Sequence, residues 1–269
     1  MADATSKVER QAVAGATMSR TGMLLSRPLH HHDNRVLADL PPSELALLAP
    51  HVQIVSLPVG TVLRHQDAAL DHVYFPHQGV ISLLATTAHG ETIEVASAGR
   101  GGAICPILAS EPRDGLLTTI AHGPLRASRV PAARLHAILP QIPMMGRAMD
   151  ACREALLLQL RQNLICCGLH AVEHRLARWL LETADRLESE MIPATQEQVA
   201  QRLGVRRTTV TLLASKLQEN GAIRWGRSRT QVLDRTRLEA MACGCYAVLH
   251  KQILGPLSAG PTTPPDFAG

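Results

Sequence analysis

Short apolar segments alternate with turn residues between about residue 52 and residue 130. The segments are Val52–Leu57, Thr61–His65, His72–Phe75, Val80–Ala85, Thr92–Ser97, Leu116–Ala121 and Leu125–Val130. Glycine-containing turn signals, among them Gln78-Gly79 and His122-Gly123, lie between them. Spacings of about 8–12 residues with partial alternation are typical of antiparallel barrels and rolls, not of βαβ units. The pattern predicts an antiparallel β-roll or jelly roll over residues 35–142.

A long helix is predicted over residues 143–168, because apolar positions recur there at alternating spacings of four and three residues. This seam consists of Met145, Met149, Cys152, Leu156, Gln159, Asn163 and Cys166. A second stripe beside it consists of Leu157, Leu160, Leu164 and Cys167. One stripe can pack on the helix's own domain, whereas two stripes need a second surface. Homodimerisation through this helix supplies that surface; the alternative is a helix buried on two sides within one chain.

The pattern of residues 169–250 predicts a winged helix-turn-helix. A helix through Leu187 and a loop at Ser189–Pro193 come first. Thr195 then begins a second helix with a capping box that Gln198 completes. Gly204-Val205 supplies a tight turn before a third helix, about 207–220, which is followed by a short hairpin over 222–233.

The outer face of the third helix and the hairpin carry the candidate DNA contacts. Val210, Leu213, Ala214 and Leu217 form the inner face. A recognition helix presents its N-terminal residues to the bases first, whereas arginines at a hairpin tip reach phosphates. The candidate DNA-binding residues are Gln196, Arg206, Arg207, Thr208, Thr209, Thr211, Ser215, Arg224, Arg227 and Arg229.

Charge supports a polyanionic partner for the C-terminal part alone. The net charge of the 269 residues is +4, but residues 195–237 contain 9 basic and 3 acidic side chains, and residues 36–143 contain 6 and 8. A local excess of six positive charges is typical of a nucleic-acid-binding segment. The chain has no run of 18 uncharged apolar residues, so a membrane span is not expected.

Cysteine and histidine usage predicts no metal site and no cofactor. Six cysteines are too sparse for a disulfide scaffold, and Cys166-Cys167 and Cys243-Gly244-Cys245 lack the double C-x-x-C spacing of structural zinc sites. Reduced thiols in packed helices, in a cytoplasmic protein, fit best; thiol sensing or metal binding is the alternative. Residues 1–34, with His30-His31-His32, have no secretory h-region. Residues 1–34 and 251–269 are expected to be flexible tails.

The order of roll, long helix and winged helix-turn-helix resembles the CRP/FNR family of bacterial transcription regulators. The resembling motifs are Pro58-Val59-Gly60, residues 72–76, residues 172–181, residues 195–221 and residues 242–246. The resemblance implies an α+β fold, a homodimer on a near-palindromic DNA site, an effector that acts on the roll, and contacts with RNA polymerase. Many members read bases with an arginine, a glutamate and a later arginine; here Arg207, Thr208 and Leu212 stand there.

The effector motifs of the family are absent. Cyclic-nucleotide-binding members have Gly-Glu for the ribose and Arg-Ser/Thr-Ala for the phosphate, whereas this chain has Gly101-Gly102 and Arg113-Asp114-Gly115. A carboxylate for the ribose is missing, and Asp114 would repel a phosphate. Relatives that hold an iron–sulfur cluster use N-terminal cysteines, and this chain has none before Cys105.

The sequence therefore predicts a sequence-specific DNA-binding regulator. The alternative is a ligand, metal or redox sensor whose functional site is the roll, suggested by Cys105 and by seven histidines. These are His51, His65, His72, His77, His89, His122 and His136. An enzyme is not expected, because the chain has no phosphate loop, nucleophile elbow or paired metal-ligand motif.

Overall fold

In the computed structural model, which describes residues 33–66, 68, 71–104 and 117–253, the N-terminal half contains one five-stranded antiparallel sheet. The strands are β1 (Gln53–Leu57), β2 (Val62–Arg64), β3 (His72–Thr86), β4 (Thr92–Ala98) and β5 (Leu117–Pro131). Their order is β1-β5-β3-β4, and β2 also pairs with β5. The predicted antiparallel roll is confirmed. Cys105 and Leu116 lie outside the described residues.

Two predicted turns are wrong, because the residues concerned form β-bulges inside longer strands. Gln78-Gly79 lies within β3 and His122-Gly123 within β5, where the register between the two strands shifts. Both glycines have positive φ, +87° and +85°. A Cβ on Gly79 would lie 2.4 Å from the carbonyl oxygen of Pro124. An isolated glycine marks a turn or a bulge equally well, so the sequence pattern does not separate the two.

Three short helices close the roll. They are α1 (Arg35–Ala38), α2 (Pro42–Leu48) and α3 (Ala132–Ile138). Asn34, predicted to end the N-terminal tail, is buried and caps α1. Its side-chain amide also donates to the carbonyl oxygens of Pro76 (2.8 Å) and Gly102 (2.9 Å). These bonds join α1 to two segments of the roll.

The long helix α4 (Pro143–Leu169) packs its seam on the roll of the same chain. Met145, Met149 and Cys152 join the core that α1 and α2 cover. Gln159 accepts from the backbone N–H of Ser97 (3.0 Å) and donates to its carbonyl oxygen (3.1 Å). The polar seam position therefore pairs with a strand, which explains why a polar residue stands in an apolar row.

Most of the second stripe of α4 is exposed. Leu157, Leu164 (77%) and Cys167 are exposed, and Leu160 is half-buried. Beside this stripe, Ile165 and Leu169 (77%) are exposed as well. The described residues therefore do not bury this helix on two sides within one chain.

No helix in the described ranges is long and apolar enough to cross a membrane.

The C-terminal half is helical with one small sheet. Its elements are α5 (Val172–Leu187), β6 (Met191–Ile192), α6 (Gln196–Leu203), α7 (Arg207–Glu219), β7 (Ile223–Trp225), β8 (Thr230–Val232), α8 (Arg235–Met241) and α9 (Cys245–Ile253). The predicted loop at Ser189–Pro193 contains β6, which pairs with β8. Two residues are too few to produce a recognisable strand pattern, so the sequence does not indicate β6. The antiparallel roll, long helix and helix-turn-helix together confirm the predicted α+β fold class.

Candidate nucleic-acid interface

Helices α6 and α7 form the helix-turn-helix. A capping box defines the start of α6, and a glycine defines its end. The Thr195 hydroxyl accepts from the N–H of Gln198 (3.2 Å), while the Gln198 side chain accepts from the N–H of Thr195 (2.9 Å). The predicted capping box is present. Gly204 ends α6 with φ of +64°. The turn therefore sets the direction in which α7 leaves.

The two faces of α7 differ as the periodicity predicts. Val210, Leu213, Ala214 and Leu217 are buried against the other helices of this half. Opposite them the helix exposes Arg206, Arg207, Thr208, Thr211 and Ser215, whereas Thr209 is half-buried. Leu212, which stands where many similar regulators have an arginine, is 62% exposed. The structure thus brings the predicted contacts of α7 onto one solvent-facing surface.

Part of the hydrogen-bonding capacity of this surface is used within the protein. The Thr211 hydroxyl lies 2.7 Å from the Gln196 side-chain oxygen and 3.1 Å from the carbonyl oxygen of Arg207. The Ser215 hydroxyl donates to the carbonyl oxygen of Thr211 (3.2 Å). Because a hydroxyl donates one proton, Thr211 and Ser215 offer mainly acceptor lone pairs to a ligand. Gln196 keeps its two amide donors.

The wing stands beside α7. The N–H of Gly226 donates to the carbonyl oxygen of Arg229 (2.8 Å) and closes the hairpin between β7 and β8. The side chain of Gln218 on α7 accepts from the N–H of Trp225 (2.8 Å), which anchors the wing to the recognition helix. The arginines of the wing, Arg224, Arg227 and Arg229, are exposed.

The five exposed arginines at this surface have no acidic partner among the described residues. This surface, the cationic face, consists of Arg206, Arg207, Arg224, Arg227 and Arg229. Two neighbouring cations, in contrast, have acidic partners: Lys216 pairs with Glu173 (3.4 Å), and Arg237 pairs with Asp234 (3.0 Å). The cationic face therefore keeps its donors available for phosphate or base edges.

The helix-turn-helix also packs on the roll, through a set of buried polar contacts that we call the joint. Arg202 on α6 pairs with Glu94 on β4 (3.2 Å), and both side chains are at most 10% exposed. The indole N–H of Trp179 donates to Glu94 as well (3.3 Å). The His122 ring lies 5.6 Å from that of Trp179. Burial, helped by the charge of Arg202, lowers the pKa of His122 to about 3.

The histidines that suggested a sensor do not come together. His77 is buried and lies 2.9 Å from the Ser128 hydroxyl, His122 belongs to the joint, and His65, His89 and His136 are exposed. Within the described ranges, none of the seven belongs to a group that could hold a metal ion. Arg113 and Cys105 lie outside those ranges, so the prediction against a cyclic nucleotide stays a prediction.

The fold brings together one group of potential metal ligands that the sequence pattern does not indicate. Cys166, His170, Cys243 and Cys245 meet where α4 approaches the turn between α8 and α9. The hydrogen bond between the sulfurs of Cys166 and Cys243 lowers the pKa of Cys243 to about 5 and raises the pKa of Cys166. The sequence contains two closely spaced pairs of these residues, Cys166-x3-His170 and Cys243-x-Cys245. Only the fold places the two pairs together.

Comparison with known proteins connects this geometry to a family. Residues 174–241 match the family model of the Crp-like helix-turn-helix domain. No curated protein sequence matches this chain significantly.

Solved structures of CRP/FNR-type regulators share the fold over most of the chain. FixK2 from Bradyrhizobium japonicum has a TM-score of 0.62 at 19% identity, covering 72% of this chain and 98% of that one. CLP, a c-di-GMP responsive global regulator of Xanthomonas campestris, has 0.61 at 15%, covering 71% and 99%. A CRP/FNR regulator from Thermus thermophilus has 0.57 at 20%, covering 71% and 98%. At these identities the likeness shows the fold.

Proposed function

We propose that this chain, a DNA-binding transcription regulator of the CRP/FNR type, acts as a homodimer that binds a near-palindromic site with one α7 helix in the major groove of each half-site. The observation that carries the proposal is the cationic face: five exposed arginines without acidic partners among the described residues, on the recognition helix and wing of a Crp-like domain. Among the described residues, the seven histidines that suggested a sensor form no comparable cluster.

The positions of the arginines support different contacts. Arg207 begins α7, where a recognition helix enters the groove, and its guanidinium has the forked geometry that matches the O6 and N7 atoms of guanine. Thr208 and Thr209 follow it in the first turn. Arg206 and the three wing arginines are placed to bind phosphates, which positions the domain without reading sequence. Gln196, at the N-terminus of α6, is suited to a phosphate through its amide donors.

The exposed stripe of α4 supports the homodimer. Leu157, Leu164, Ile165 and Leu169 form an apolar row that the described part of the chain leaves uncovered. A second copy covers such a row symmetrically, because a twofold interface uses the same patch on both subunits. The same symmetry places the two α7 helices in successive major grooves of an inverted repeat.

One further partner and a location follow from the resemblance to this family. A regulator bound near a promoter acts through RNA polymerase, so we include polymerase as a partner. A protein whose ligand is chromosomal DNA works in the bacterial cytoplasm, and the described cysteines are all free thiols, as a reducing compartment requires.

The dimer is tested by introducing a charge into the exposed stripe. Leu164→Glu should convert the dimer into a monomer in sedimentation analysis and lower the affinity for a two-half-site duplex at least tenfold. Val59→Glu is the matched control, since Val59 is an exposed apolar residue (52%) away from α4, and this variant should stay dimeric. A monomeric wild-type protein, or a Leu164→Glu variant that remains a dimer, would contradict the proposed interface.

A further inference from the structure

Four side chains with metal-ligating atoms converge at the C-terminal end of α4. The ligand atoms of Cys166, His170, Cys243 and Cys245 all lie within 4.8 Å of one another. The sulfurs of Cys166 and Cys243 are 3.5 Å apart, and the sulfur of Cys245 is 3.4 Å from Nδ1 of His170. The three cysteines are buried, and His170 is half-buried. Such convergence of four donors from distant parts of the chain distinguishes this group from thiols scattered in a core.

The fold holds both pairs of ligands in place. Cys166 lies in the last turn of α4, and His170 directly follows the helix as its C-cap residue. Cys243 lies in the turn that connects α8 to α9, and Cys245, which follows Gly244, begins α9. The N–H of His170 also donates to the carbonyl oxygen of Cys166 (3.1 Å), which closes the last turn of the helix. The four donors are therefore positioned by backbone structure before any ion binds.

From this geometry we propose that Cys166, His170, Cys243 and Cys245 bind one Zn²⁺ ion. Structural zinc prefers four tetrahedral ligands, and three cysteines with one histidine is one of its usual sets. With Zn–S bonds of about 2.3 Å, a tetrahedral site separates two sulfurs by roughly 3.8 Å, near the 3.5 Å between the sulfurs of Cys166 and Cys243. An iron–sulfur cluster, with several irons and bridging sulfides between its cysteines, needs wider spacing.

The surroundings of the four ligands suit a zinc–thiolate centre. Three thiolates, a neutral imidazole and Zn²⁺ have a total charge of −1. The buried guanidinium of Arg178 interacts electrostatically with all three cysteines and offsets that charge. The amide of Gln162 lies 2.9 Å from the sulfur of Cys245, and such outer contacts orient metal ligands.

Zinc in this position would connect the two halves of the molecule. α4 contacts the roll along most of its length, whereas α9 belongs to the DNA-binding half. A metal ion shared by the end of α4 and the turn before α9 fixes one half relative to the other. Zinc binding itself does not depend on the proposed DNA site, and it is measured without DNA.

The experiment uses the full chain, reduced, without an affinity tag, and titrates Zn²⁺ against a chromophoric chelator. Wild type should bind one tight Zn²⁺ per chain. Cys243→Ser, Cys245→Ser and His170→Asn should each weaken binding at least about 100-fold, more than the loss typical of an outer-shell substitution. Cys167→Ser is the matched control, because Cys167 neighbours Cys166 but lies outside the group; it should bind like wild type. So should a variant with His30, His31 and His32 all changed to Ala.

Cobalt substitution keeps the test valid where a serine variant does not fold. Co²⁺ added to the wild-type chain should give the intense visible bands of a tetrahedral site and thiolate-to-metal charge-transfer absorption. The proposal is overturned if the reduced wild-type chain binds no Zn²⁺ tightly, if the cobalt spectrum lacks thiolate bands, or if Cys167→Ser loses as much affinity as Cys243→Ser. A Cys166–Cys243 disulfide that persists in the purified protein and excludes metal would overturn it as well.

Discussion

The joint and the cationic face both depend on arginine, but in opposite environments. At the joint, Arg202 pairs with Glu94 (3.2 Å), and both side chains are at most 10% exposed. Within α5, the buried side chains of Arg178 and Arg186 likewise both pair with Glu182. On the cationic face, the arginines are exposed and lack acidic partners within the described residues. Only a short turn separates Arg202 from Arg206, so the change of environment occurs within the helix-turn-helix itself.

The contrast indicates two roles for one residue type. A buried arginine must be paired, because an unpaired buried charge costs several kcal/mol, so the pairing of Arg202 with Glu94 positions α6 on the roll. An exposed arginine adds little to stability, and keeping five of them together without acids raises the local positive potential. Gly204 lies between the two environments along the chain. Its φ is +64°, and a Cβ added to it would lie 3.3 Å from Ile93 of β4.

The largest effect is expected when the joint is broken. Arg202→Ala leaves Glu94 buried without its cation and should lower the free energy of unfolding by about 3–5 kcal/mol. Chemical denaturation monitored by the fluorescence of the two tryptophans, Trp179 and Trp225, measures it. Arg206→Ala is the matched control from the cationic face and should change stability by no more than about 0.5 kcal/mol. Equal losses in the two variants would remove the distinction between the regions.

A second prediction concerns the stability of the folded chain at acidic pH. The folded pKa of His122, about 3, lies below the unfolded value of 6.5, so the unfolded chain binds more protons between these values. Stability should therefore fall as pH drops below about 6.5, by up to about 1.4 kcal/mol per pH unit from this group. His122→Phe, which keeps a ring against Trp179, should show a shallower loss in denaturation series from pH 7 to 4.5. An unchanged slope would mean that His122 does not stay neutral in the folded joint.

Substitutions in the cationic face are expected to have the smallest effect on stability. Their effect is expected on the affinity for DNA and on its dependence on sequence. Arg207→Ala should weaken binding to the preferred site by about 1–3 kcal/mol and relax the preference at one base position. Arg227→Ala is its control: affinity for all duplexes should fall alike, with the salt dependence lowered by about one unit of slope. Anisotropy titrations on specific and scrambled duplexes separate the two. If both variants lose affinity equally on every sequence, Arg207 does not read bases.

Local rules predicted the parts of the fold that depend on local chemistry. The capping box at Thr195 and Gln198, the inner face of α7 and the length of α4 follow from helix periodicity and backbone hydrogen bonding, which act over a few residues. The bulge at Gly79 was predicted as a turn, because the same positive φ serves both and only the pairing with β5 separates them.

Properties that depend on distant residues were not predictable from spacing. Gln159 and Asn163 looked like ordinary seam positions, yet their amides bond to the backbone of Ser97 and Val95 on β4. Glu94 and Arg202 lie more than one hundred residues apart, so their pairing has no local signal. The meeting of Cys166 with Cys243 needs the same long-range information. The candidate site on α7 was predictable because its residues share one helix and one hairpin.

The most direct test of the DNA-binding account is selection of bound duplexes from a random pool, with the purified full chain, no added ligand, and two salt concentrations. The account predicts enrichment of two inverted half-sites centred about one helical turn apart, retained at the higher salt. Retention that is independent of sequence and disappears at higher salt would contradict base reading by α7 in the free protein.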